Sequence, residues 1–170
     1  MGFVSLYLAM QVLVPLRHWL YPGNVSWTEE GHRFSWHMKL RDKEAHLTMR
    51  VTEPRTGTTW PVDFSRDLTP KQIDEMSTRP DMIWQYARFL RSKLEAEGVA
   101  HPIVTADAQV SLNGRPYAPM IDPNVNLATT HYSLFSHATW ITPLREPLPT
   151  PSTKSHPPRL STGQSYVKTG

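Results

Sequence analysis

Three cations stand where this 170-residue chain is expected to reverse direction: Arg41 and Lys43 in the polar stretch Arg41–Glu44, and Arg115 directly after Asn113-Gly114. If the two reversals lie side by side, these side chains can clamp a carboxylate, for which the planar arginine fork is geometrically suited. The same residues also suit an ordinary solvated turn, and their spacing leaves both readings open.

Other chemistries find less support. Of the eight histidines, His32, His37 and His46 fall in a segment that reads as a β-hairpin. His32 and His37 are separated by an odd number of residues and so face opposite sides of a strand, and no helical His pair at i, i+4 occurs. No metal site is therefore expected. Ser35 lies inside an expected strand, and neither a G-x-S-x-G turn nor a phosphate-cradling glycine loop is present. The absence of cysteine removes disulfides, thiolate metal sites and cysteine nucleophiles. Eighteen basic and fifteen acidic residues are spread along the chain for a net charge of +3, which argues against nucleic acid as a partner. No residue is assigned a catalytic role.

The elements that position these residues follow from periodicity and turn chemistry. Gly2–Leu16 is apolar except for Ser5 and Gln11, and the aromatic and basic group Arg17, His18, Trp19 and Tyr21 follows it. A spanning helix needs about 20 apolar residues, so residues 1–20 read as the end of a truncated transmembrane helix. Pro22-Gly23-Asn24 ends it. Residues 21–144 then read as one α+β domain with an antiparallel sheet of about five strands and two inserted helices; 39% hydrophobic content is enough for its core. The expected strands are Phe34–Leu40, Leu47–Val51, Thr58–Phe64, Ile103–Leu112 and Tyr117–Ile121, the last two joined by the hairpin dipeptide Asn-Gly. Thr69-Pro70-Lys71-Gln72 opens the first helix with a capping box, and Arg79-Pro80 separates it from a second. That second helix carries Ile83, Tyr86, Ala87, Leu90 and Leu94 on one stripe and stops at Gly98. Residues 145–170 are rich in Pro, Ser and Thr and read as a disordered tail.

Five landmarks occur in order: Pro15-Leu16-Arg17-His18; the tract Trp27–Trp36 ending in Phe34-Ser35-Trp36-x-Met38; Val110–Arg115 (VSLNGR); Ile121-Asp122-Pro123-x-Val125; and Trp140-Ile141-x-Pro143-Leu144. Together they resemble the vitamin K-dependent γ-glutamyl carboxylase family, in particular bacterial members with a multi-helix transmembrane domain, over roughly Phe3–Leu144. The resemblance implies a membrane enzyme in which a lysine base in the membrane part deprotonates vitamin K hydroquinone. Oxygen converts that cofactor to a strong base, and carbon dioxide adds to the γ-carbon of a peptidyl glutamate. It further implies that this chain is the extracytoplasmic part, periplasmic or lumenal, and a fragment lacking the base lysine. The chain alone is then not expected to catalyse the reaction or hold a cofactor.

By the same resemblance, Phe34, Ser35 and Trp36, with Gly31 and His32 ahead of them, lie in the glutamate-binding region. Arg41 and Lys43 match a basic pair whose first member is a histidine in animal enzymes, and Arg115 matches an arginine of the later motif. The expected partners are a glutamate-containing peptide or protein and the membrane. The alternative is a non-catalytic, membrane-associated interaction module.

Overall fold

The computed structural model describes residues 2–16, 24–30, 42–133 and 136–144. Helix α1, Gly2–Leu16, has no buried residue and exposes Phe3, Leu6, Leu8 and Leu13. Its 15 residues span about 22 Å against a hydrocarbon layer of about 30 Å. No helix among the described residues is long and apolar enough to cross a membrane.

One turn of helix, α2 at Val25–Thr28, is capped by Asn24, whose Oδ1 accepts from the Ser26 amide at 2.9 Å. Four strands follow, β1 Lys43–Thr52, β2 Thr59–Pro61, β3 Ile103–Leu112 and β4 Ala118–Pro119, in one antiparallel sheet of order β2-β1-β3-β4. Helices α3, Pro70–Ser77, and α4, Pro80–Ala96, lie between β2 and β3 in the chain and cover one face of the sheet.

The period of two explains which face they cover. Leu47, Met49 and Val51 of β1 stand opposite Ala108, Ala106 and Val104 of β3. Large side chains on one strand thus meet small ones on the next, which leaves room for Ile83, Ala87 and Leu90 of α4 to pack on the same side. The alternate residues Glu44, His46, Thr48 and Arg50 are exposed on the other face.

The α+β class and both helices are as the sequence predicts. Thr69 and Gln72 form the full capping box, with the Thr69 amide donating to Gln72 Oε1 at 2.8 Å and the Gln72 amide to Thr69 Oγ1 at 3.4 Å. Gly98 takes its left-handed conformation (φ 95°) after α4. The strands differ in extent. The expected strand Phe34–Leu40 lies outside the described residues, as does the tail 145–170. β1 begins at Lys43 and not at Leu47, so the polar stretch is partly strand: Lys43 and Glu44 pair with Leu112 and Ser111. An inward lysine is tolerated there because acceptors await its ammonium, as described below. The third strand shrinks to Thr59–Pro61, since Asp63 instead caps a 3-10 turn at Phe64–Arg66 by accepting from the Ser65 amide. The strand expected over Tyr117–Ile121 divides into β4 and an isolated bridge between Ile121 and Ile141.

Beneath the sheet, Tyr86 donates its hydroxyl to Asp67 Oδ2 at 3.2 Å while Lys93 reaches Asp67 Oδ1 at 2.6 Å. Burial, and then the Asp67 charge, push the Tyr86 pKa above its ordinary 10.0. The folded state thus keeps this proton where the unfolded chain gives it up. The stability it contributes is complete below the ordinary value and is lost as pH rises beyond it. Denaturation midpoints should fall on the alkaline side of 10.0, and Tyr86→Phe should flatten that fall. An equally steep alkaline limb in the variant would assign it to other groups.

Candidate functional site

Gly31, His32, Phe34, Ser35, Trp36 and Arg41 lie outside the described residues. Lys43 and Arg115 are described, and the ends that carry them are adjacent: the Asn113 amide donates to the Asp42 carbonyl and the Asp42 amide to Asn113 Oδ1, both at 2.8 Å. The two cations nevertheless have different surroundings.

The Lys43 side chain is 5% exposed and its ammonium is engaged. It donates to Glu29 Oε1 at 2.8 Å, to the Trp27 carbonyl at 3.0 Å and to the Thr78 carbonyl at 3.3 Å. Those acceptors come from α2 and the residue after it and from the cap of α3, so the lysine ties three parts of the chain together. Glu29 meets it from a left-handed backbone position, φ 61°, directly after α2. With its donors used in this way, Lys43 organises the site's framework.

A second tie joins residues 24–30 to residues 137–142. Trp27, 1% exposed, donates its indole N–H to the Thr142 carbonyl at 2.7 Å. Glu30, 2% exposed, accepts from the Ala138 amide through Oε1 at 2.7 Å and meets His137 Nδ1 through Oε2 at 2.8 Å. The bridge between Ile121 and Ile141 is extended by Asp122 N to Trp140 O and Thr142 N to Met120 O, each at 2.9 Å. Landmarks far apart in sequence, at Trp27, Val110–Arg115, Ile121-Asp122 and Trp140–Leu144, thus meet at one end of the sheet. Sequence reasoning did not single out Glu29, Glu30 or His137. The one signal in the sequence is a pair of adjacent acids one residue removed from a tryptophan, a pattern that also suits a solvated turn.

Arg115 occupies a tight turn in which Asn113 (φ 55°) and Gly114 (φ 71°) both take left-handed conformations, as the Asn-Gly dipeptide favours. A plain two-residue turn would place Tyr117 opposite Val110, yet Ala118 stands there. One extra residue is therefore accommodated at Pro116-Tyr117, where Pro116 has no N–H to offer the ladder. Ser111 Oγ donates instead to the Arg115 carbonyl at 2.7 Å. The slip places Tyr117 on the outer face, stacked on His46 at 4.9 Å and donating to Glu44 Oε2 at 3.0 Å, a bond that raises the tyrosine pKa.

Arg115 is only 9% exposed, and its buried Nε and Nη1 have no hydrogen-bond partner among the described residues. Leaving such donors unmet costs about 1–3 kcal/mol or more for a charged group. Arg115 lines a cavity of about 360 Å³ together with Leu112, residues 116–119 and residues 142–144. A guanidinium offers a carboxylate two forks, one containing Nε and the other Nη1, so each contains an unmet donor; both atoms are buried, and a carboxylate in the cavity would reach them by a shift of the Arg115 side chain. No group of three or more metal-ligating side chains occurs among the described residues.

The Lys43–Glu29 pair gives a direct expectation. Removing one partner strands a buried charge, so Lys43→Met or Glu29→Gln should each cost about 3–5 kcal/mol in urea denaturation. Combining Lys43→Met with Glu29→Leu should recover part of the loss because neither charge remains. Equal losses in single and double variants would show that the charge pairing does not hold this junction.

No solved structure gives a match to the chain. A protein-family model does: the vitamin K-dependent gamma-carboxylase, lumenal domain, matches residues 1–147. That span contains all five landmarks, both ties and the Arg115 cavity, and the chain belongs to the vitamin K-dependent gamma-carboxylase lumenal-domain family.

Proposed function

We propose that this chain is the extracytoplasmic part of a carboxylase-type membrane protein and that it binds the glutamyl side chain of a peptide substrate. The observation that carries the reading is the Arg115 guanidinium, buried and with two donors unmet at the wall of a cavity. A carboxylate is the ligand that satisfies such a group with charge and geometry together. The family supplies the reason for that carboxylate to be glutamyl. Gly31, His32, Phe34, Ser35, Trp36 and Arg41 are further candidates for contacts with the rest of the peptide.

In this reading the carboxylation chemistry, with vitamin K hydroquinone, oxygen and carbon dioxide, belongs to a membrane-embedded part outside these 170 residues. The described lining of the cavity holds no carboxylate, histidine or lysine side chain to take a hydroxyl proton from the hydroquinone, so no step of that chemistry is assigned to it. Helix α1 supports the membrane side of the proposal, since its apolar residues are exposed around its circumference.

Two measurements test this. Arg115→Met keeps the apolar stem and removes the charge, so it should weaken binding of a glutamate-containing peptide at least tenfold, about 1.4 kcal/mol, while leaving the melting temperature unchanged or raised. A variant that melts lower but binds normally would make Arg115 a structural residue. For α1, the parent chain should float with lipid vesicles and the Leu6→Lys/Leu13→Lys variant should not. Flotation of neither would remove the membrane contact.

A further inference from the structure

We infer that the Arg115 cavity separates a glutamyl side chain from its γ-carboxylated product by charge, retaining the first and releasing the second. This rests on the glutamyl-binding reading above. Size cannot make the distinction, because about 360 Å³ accommodates either side chain with part of the adjoining peptide.

Charge can. Arg115 is the single cation among the described residues lining the cavity. Three others, Pro116, Pro119 and Pro143, are prolines and have no backbone N–H to offer an anion. Leu112, Ala118 and Leu144 add apolar side chains. The Thr142 amide is already given to the Met120 carbonyl. Tyr117, a lining residue, donates its hydroxyl to Glu44, which fixes a negative charge 3.0 Å from that oxygen.

One guanidinium neutralises one carboxylate. The product carries two on the same carbon, and among the described residues its second finds only apolar wall or the neighbourhood of Glu44. Both are unfavourable, the first through lost hydration and the second through like-charge repulsion. The substrate meets neither obstacle. Carboxylation of a bound glutamyl group thus weakens its own hold on the cavity, and release requires no movement of the fold.

The test uses the full chain and four peptides identical except for one residue: glutamate, γ-carboxyglutamate, γ-methylglutamate and glutamine. Glutamate and γ-methylglutamate should bind alike, with γ-carboxyglutamate and glutamine each at least tenfold weaker. In Glu44→Gln the gap between glutamate and γ-carboxyglutamate should narrow. Equal affinity for glutamate and γ-carboxyglutamate would overturn the inference and leave the glutamyl-binding reading standing. Binding of γ-methylglutamate as weak as that of γ-carboxyglutamate would also overturn it, since bulk would then be the cause. An unchanged gap in Glu44→Gln would remove the Glu44 charge from the account. Failure of the glutamate peptide to bind at all would defeat the underlying reading.

Discussion

Everything in this domain is registered on the ten-residue antiparallel ladder between β1 and β3. Its pairs run from Lys43 with Leu112 to Thr52 with Ile103, so two segments on either side of both helices are locked together along their whole length. A shift of one residue would turn Met49, Val51, Val104 and Ala106 out to solvent and bring Glu44, Arg50 and Asp107 into the core. The ladder also decides what lies at its end. Because Lys43 is paired with Leu112, Asp42 meets Asn113, and the turn bearing Arg115 is held where residues 24–30 and 137–142 converge.

Lys43 and Arg115 illustrate how different the positions of two cations can be within a few residues of the same ladder end. Lys43 has a carboxylate and two carbonyls around it, and its burial is compensated. Arg115 is buried beside apolar walls with donors unmet. A protein interior tolerates the second condition at a cost in stability, and unmet buried donors are uncommon enough to call for a ligand, a water or a strained function. The resemblance of Val110–Arg115 read from the sequence and the unfilled hydrogen-bonding requirement fall on the same residue, which is why the proposed glutamyl site is centred there.

Local signals in the sequence were legible where local chemistry decides the outcome. Thr69 with Gln72, Arg79-Pro80, Gly98 and Asn113-Gly114 each specify a cap, a break or a turn through their own backbone preferences, and each forms as read. The stripe Ile83, Tyr86, Ala87, Leu90 was legible for the same reason. What was not legible depends on partners distant in the chain. β1 extends back to Lys43 because β3 offers a ladder of matching length and because Glu29 and Thr78 supply acceptors, facts invisible from residues 41–47 alone. β2 and β4 are shorter than read, because Asp63 caps a turn and Pro116 interrupts the ladder. At the site, Arg115 was identifiable as a candidate by its place after Asn-Gly, but its burial and its unmet donors come from Leu112 and the 142–144 segment, which only folding assembles.

The tie between the segments at either end of the domain has a mechanical side. Trp27 to Thr142, Glu30 to Ala138 and Glu30 to His137 join residues 24–30 directly to residues 137–142. A pull applied between those segments would load these contacts first and leave the ladder of β1 and β3 slack until they parted. Because Thr142 belongs both to this tie and to the wall of the Arg115 cavity, such a load would reach the cavity before it reached the ladder.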